Sequence, residues 1–245
     1  SLRSLFSGER ARLARKHKII YLPIRMVAVR NKEMKEHIVK YDELRAIGKN
    51  LNSKLFKELN GSEIKIAARA LGVLKNNALL LDSDEDMDRY TDFAINDYYD
   101  VNGNNTIKRY LKKHNDINGL EKSILNSLLL SKASSYQIVK SDRESATIQL
   151  RDLLNQSEDI NIIDRGFSSS PMIVNFLVYT RVLSFDEINM TSGAPMIYGM
   201  DSKESLLSKY KKKMDKVNIG NEQTKLSVAF YQLHEKYGYH QVEYA

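Results

Sequence analysis

Cysteine is absent from all 245 residues. That excludes a disulfide framework, thiolate zinc sites and a cysteine nucleophile. Prolines number three and charged residues make up 28%, so long disordered tracts are not expected. No apolar run approaches the roughly 18 residues of a membrane span. The N-terminus lacks the basic-then-apolar order of a signal peptide, and a cytoplasmic setting is the expectation. Signatures of cofactor chemistry are missing too. Gly48-Lys49 lacks the leading glycine and the Ser/Thr of a phosphate loop, and no dinucleotide fingerprint occurs. Gly166-Phe-Ser168-Ser-Ser170 lacks the closing glycine of a nucleophile elbow. None of the five histidines, His17, His37, His114, His234 and His240, pairs with another at the spacing of a zinc helix. No cofactor is called for.

The chain is 42% hydrophobic, enough for one large domain or two small ones with a real core. Its net charge of +7 is consistent with nucleic-acid binding and also with plain solubility. The stretch 134–200 carries short apolar runs at 136–139, 146–150, 160–163 and 172–182, separated by turn-forming residues. Ile148 and Leu150 alternate with Thr147, Gln149 and Arg151, as in a strand with one wet face. This spacing predicts a compact antiparallel meander or small barrel over 132–200. The run 172–182 is nearly all apolar and reads as its central strand, covered on both faces.

Around that unit, 1–131 reads as mainly helical and 201–245 as C-terminal helices packing back. This is an α+β order rather than an alternating α/β one, and it can form one continuous domain. Residues 2–18 read as a basic amphipathic helix or arm; 19–29 is an extended segment or a buried connection. Residues 32–59 read as helix, broken at Gly48, with Leu44, Ile47, Leu51, Leu55 and Leu59 as its core stripe. Ser62 can cap the next helix, 79–81 is extended, and Ser83 opens an acidic helix reaching Tyr99.

Three groups of motifs resemble a family of uncharacterised bacterial proteins. They are IAARALG at 66–72 with LDSDEDM at 81–87 and Asp92; SSY at 134–136 with LRDLL at 150–154; and DRGFS at 164–168 with TSGAP at 191–195. The resemblance covers roughly 64–198. It implies helices followed by a compact β unit, and it implies no catalytic residues.

The acidic run Asp82, Asp84, Glu85, Asp86, Asp88 and Asp92 is the most conspicuous polar cluster. A calcium loop would need glycine where Met87 stands and glutamate where Phe93 stands. On a helix, Asp84, Asp88 and Asp92 form one column, which could hold Mg²⁺ or Mn²⁺ if other oxygens converged on it. Acidic residues at a helix start also complement its dipole, and Ser83 with Asp86 resembles a capping box. Asp164-Arg165-Gly166 reads as a tight turn with a positive φ at Gly166. Lys209, Lys212, Lys213 and Lys216 share one face of a helix, with Lys211 aside; such a face could neutralise phosphates without reading sequence. The chain is therefore read as a non-catalytic binding or adaptor module, with no metal and no cofactor. Its partner would be a protein, or nucleic acid bound at most non-specifically. The alternative is a metal-dependent hydrolase or nuclease built on Asp84, Asp88 and Asp92.

Overall fold

A computed structural model describes residues 24–114, 116–117 and 119–239. The chain divides into two units, 1–37 and 38–245. In the first, the described residues 24–37 are helical and open α1 (Ile24–Phe56). Residues 24–29 are therefore helix rather than an extended segment. The arm at 2–18, with His17 and His240, lies outside the described residues. Everything below concerns the second unit.

That unit is α+β, with helices leading into a five-stranded mixed β-barrel and helices after it. α1 runs unbroken through Gly48. A helix-interior glycine costs about 1 kcal/mol relative to alanine, and burial of Leu44, Leu51 and Leu55 on the same helix offsets it. α2 (Gly61–Leu71) is capped by Asn60, not Ser62. Asn60 accepts from the Ser62 and Glu63 backbone N–H groups, and the Glu63 carboxylate accepts from the Asn60 N–H in return. A box begun at Ser62 would end on Lys65, a cation that cannot accept. The two-residue strands β1 (Leu74–Lys75) and β2 (Ala78–Leu79) form a hairpin closed by Asn76 and Asn77, at φ 49° and 64°. Positive φ at both central residues is what a tight hairpin turn demands, and asparagine tolerates it. α3 (Asp84–Asn96) is the acidic helix, capped by Ser83 through the Asp86 N–H. It ends three residues before Tyr99. α4 (Thr106–Lys113) and α5 (Gly119–Leu130) complete the first helical layer.

The barrel strands are β3 (Ala133–Asp142), β4 (Thr147–Asp152), β5 (Ile160–Ile163), β6 (Phe176–Ser184) and β7 (Asn189–Thr191). They close in the order β3–β4–β5–β7–β6 and back to β3. Four of the five pairings are antiparallel; β5 and β7 run parallel, meeting at Ile163 and Met190. Asp164, Phe167 and the short helix α6 (Arg165–Ser169) follow β5, so the chain leaves the sheet before returning parallel. β8 (Met196–Gly199) extends β6 outward, and β9 (Gly238–Tyr239) extends β8. The 172–182 run is split: residues 171–175 form a 3₁₀ turn, and β6 begins at Phe176.

The period-two pattern sorts side chains between two environments. Tyr136, Ile138, Ile148, Leu150, Ile162 and Val178 fill the barrel. Leu177, Tyr179 and Tyr198 pack outward with α2, α3 and the last helix, α8 (Glu222–Tyr237). α7 (Lys203–Met214) precedes α8 in the chain and packs against it. A third core joins α1, α4 and α5 to Ile163, Leu183 and Met190. β6 is thus central, as the sequence indicated, and buried on both faces. No helix among the described residues is long and apolar enough to cross a membrane.

Candidate functional site

Four segments distant in sequence surround a cleft of about 1040 Å³. α1 contributes Arg45, Gly48, Lys49 and Lys57; α3 contributes Asp88 and Asp92. The start of α6 contributes Asp164 and Phe167, and the β7–β8 loop contributes Thr191 to Pro195. The floor is apolar, with Leu44, Ile124, Leu183 and Met190 beneath Tyr41, Phe56 and Phe185.

Asp164 locks three of these segments together. Its Oδ1 accepts from the Phe167 N–H and so caps α6. Its Oδ2 accepts from Thr191 Oγ1 at 3.0 Å and from Arg45 Nη2 at 3.4 Å. Arg45 Nη2 also donates to Thr191 Oγ1 at 2.6 Å, and Arg45 Nε donates to the Tyr41 hydroxyl. Gly166 sits inside α6, so the tight turn with positive φ expected there is replaced by a capped helical turn. The positive φ falls instead at Gly193, at 107°. A Cβ there would stand 2.8 Å from Arg45 Nη1. The backbone conformation therefore calls for glycine, and any larger residue would also displace the end of the Arg45 side chain.

Behind the α3 wall is a buried charge cluster. Arg181 projects outward from β6 with its side chain 2% exposed. Its Nη2 donates to Asp97 Oδ1 at 2.5 Å and its Nη1 to the Ser131 carbonyl at 3.0 Å. Asp97 Oδ2 accepts from Ser227 Oγ at 2.7 Å, which leaves Tyr179 as donor to Ser227. Thr224 Oγ1 donates to the Asp97 carbonyl. Arg181 Nε has no hydrogen-bond partner and lies 4.0 Å from Asp92 Oδ2. Burial opposes the charge on Arg181, but Asp97 and Asp92 outweigh it and its pKa is raised.

Asp92 is ringed by protein, with 19% of its side chain reaching the cleft side. Burial pushes its pKa up to about 6, against the pull of Arg181 and hydrogen bonds from Ser192 and Asn96; Asp97 adds repulsion. One turn earlier, desolvation and the neighbours Asp84 and Glu85 raise Asp88 above its ordinary value.

A family model, that of a family of unknown function, DUF7986, matches residues 35–244. The chain belongs to that family. No curated protein and no solved structure matches it. In this DUF7986 chain the family match extends well beyond the motifs at 64–198, and segments from two of the three motif groups, at 81–92, 164–168 and 191–195, meet at the cleft.

The acidic column does not act as a unit. Asp88 and Asp92 line the cleft, whereas Asp84 is exposed on the first turn of α3. Asp86, outside that column, pairs with Arg89 at 2.8 Å. Among the described residues, no three His, Asp or Glu side chains come together as metal ligands. The lysine face is also divided. Lys209 Nζ donates to the Tyr237 hydroxyl and Lys213 Nζ to Gln232, both on α8. Lys212 is exposed on α7, and Lys216 lies beyond the helix end at Met214. Sequence reasoning missed Arg45, Asp97 and Arg181. For Arg181 a signal existed: a lone cation inside a strand read as covered on both faces must find a buried partner.

Proposed function

We propose that this chain is a non-catalytic binding module whose ligand enters the cleft between α1, α3 and the β7–β8 loop. The cleft itself carries this reading. It combines an apolar floor with a few convergent charged groups, the usual make-up of a ligand site, at a volume suited to a ligand of drug or short-peptide size. The Arg45–Thr191–Asp164 chain holds its walls in place and is itself satisfied, so it frames rather than reacts. Nucleic acid, if bound, would be held weakly by Lys212 and Lys216, because Lys209 and Lys213 are turned to α8.

Gly48 offers a direct test. Nothing stands within 4 Å of a Cβ built on it, and it lines the cleft. Gly48→Trp should fold normally and fill the space. A fragment library screened by ligand-observed NMR should yield hits that compete with one another on the wild type and vanish on Gly48→Trp. Hits that bind both proteins equally, or no hits at all, would refute the cleft as the ligand site.

A further inference from the structure

The charges around Asp92 do not balance. Arg181 is the one buried cation of its cluster, and Asp97 matches it through a direct hydrogen bond. Asp92, at 4.0 Å from the same guanidinium, is left as a second carboxylate sharing one positive charge. It stands on the cleft wall rather than in the interior. Asp88, one turn along the same wall, forms no ion pair among the described residues, nor does Lys49 or Lys57 opposite. Lys49 acts on Asp88 only through its longer-range field. A carboxylate largely withdrawn from water and short of a counter-charge is costly. A cation arriving there would meet it in a low-dielectric setting, where such pairs are strong. The aromatic side chains of Tyr41, Phe56 and Phe185 line the same space and suit an apolar body next to a cationic head.

Resting on the cleft as the ligand site, we propose that it takes a ligand bearing a protonated amine or guanidinium, seated against Asp92 and Asp88 with its apolar body over the aromatic floor. The groups facing Asp92 fit this assignment. β6 presents Arg181 and Tyr179, and the end of α3 presents Asn96 and Asp97. The β7–β8 loop presents the Ser192 hydroxyl. α1 presents Arg45 and Lys49 on the far wall, where they favour a ligand whose other end is neutral or acidic.

The test uses three matched probes, 2-phenylethylamine, phenylalanine and 3-phenylpropanoate, titrated calorimetrically into the full chain. The amine and the amino acid should bind and the acid should not. Asp92→Asn should weaken amine binding about ten- to hundredfold, the range of a charge-assisted hydrogen bond. Amine affinity should fall as pH drops from 7.5 to 5, because protonating Asp92 removes its charge, and this dependence should flatten in Asp92→Asn. Preferential binding of the acid, amine binding indifferent to Asp92→Asn, or no binding by any probe would overturn the assignment. Acid binding that Gly48→Trp abolishes would overturn the cation preference and leave the cleft standing. Amine binding that survives Gly48→Trp would overturn both.

Discussion

Replacing Asp92 with asparagine should make this protein more stable at neutral pH, and the gain should disappear in acid. Asp92 titrates near 3.8 in ordinary surroundings and is pushed up to about 6 in the folded chain. The folded state thus holds this proton more tightly than the unfolded state. Between pH 4 and 6 the native state binds more protons, so stability falls as pH rises through that window, and the full cost is present above pH 6. The rise from 3.8 to about 6 corresponds to about 3 kcal/mol. Asparagine has the shape of the protonated carboxyl and never ionises. It forfeits part of the hydrogen bonding with Ser192 and Asn96, worth about 1 kcal/mol. Asp92→Asn should therefore gain about 2 kcal/mol at pH 7.5 and lose up to about 1 kcal/mol at pH 4, where little but the hydrogen-bond loss remains. Urea unfolding of both proteins at pH 4, 6 and 7.5, with unchanged m-values, measures this directly. A variant less stable at pH 7.5, or a difference independent of pH, would refute the assignment of Asp92 as a carboxylate ionised at a cost.

Three further outcomes follow from the same structure. Gly48→Ala should stabilise α1 by about 1 kcal/mol in urea titrations, since the site has room for a methyl group and alanine is the better helix former. Arg181→Met should cost about 3–5 kcal/mol at about pH 8, because Asp97 and Asp92 lose their shared counter-charge, and the loss should shrink as pH falls towards 6, because without Arg181 Asp92 takes up its proton above that pH. Duplex DNA, followed by fluorescence anisotropy across a salt series, should bind weakly and without sequence preference, with a log–log salt slope near −2 for the two free lysines, Lys212 and Lys216, rather than near −4 for four; changing all four lysines to glutamine should remove it.

Local chemistry made much of the fold legible. Alternation at Thr147 to Arg151 gave β4 its wet and dry faces, and the leucine spacing from Leu44 to Leu55 gave α1 its buried stripe. Ser83 opened α3 by a hydrogen bond that its sequence position alone foretold. The errors share a cause: a local rule was overruled by a stronger local rule or by packing. Gly48 fails to break α1 because the flanking leucines are fully buried. Asn60 displaces Ser62 because only it finds a glutamate three residues on. Gly166 enters a helical turn because Asp164 caps that turn. The parallel β5–β7 pair could not be read at all, since it depends on where α6 carries the chain after β5. For the cleft, Asp88, Asp92 and Asp164 stood out in the sequence as polar residues, but nothing there could pair them. Arg45 reaches Asp164 across 119 positions, and Arg181 reaches Asp97 across 84.

Asp92 differs in kind from the other polar residues around the cleft. Ser83 and Asp164 cap helices, Gly193 relieves a backbone and a steric conflict, and Arg45 ties α1 to the barrel; each is explained by the fold it supports. Asp97 is likewise held by Arg181, Ser227 and Thr224. Asp92 is near the end of α3, where an acidic side chain opposes rather than complements the helix dipole. It shares a cation already matched by Asp97 and is ionised only against its surroundings. Asparagine or leucine would serve α3 better. A residue that costs stability where it stands, on the wall of this cleft, has the character of a site residue, because strain and unmatched charge persist where function requires them. Asp92→Asn therefore separates two accounts. If it raises stability and leaves ligand binding untouched, Asp92 is an unoptimised charge; if it raises stability and removes amine binding, the instability is the form in which the site stores its affinity.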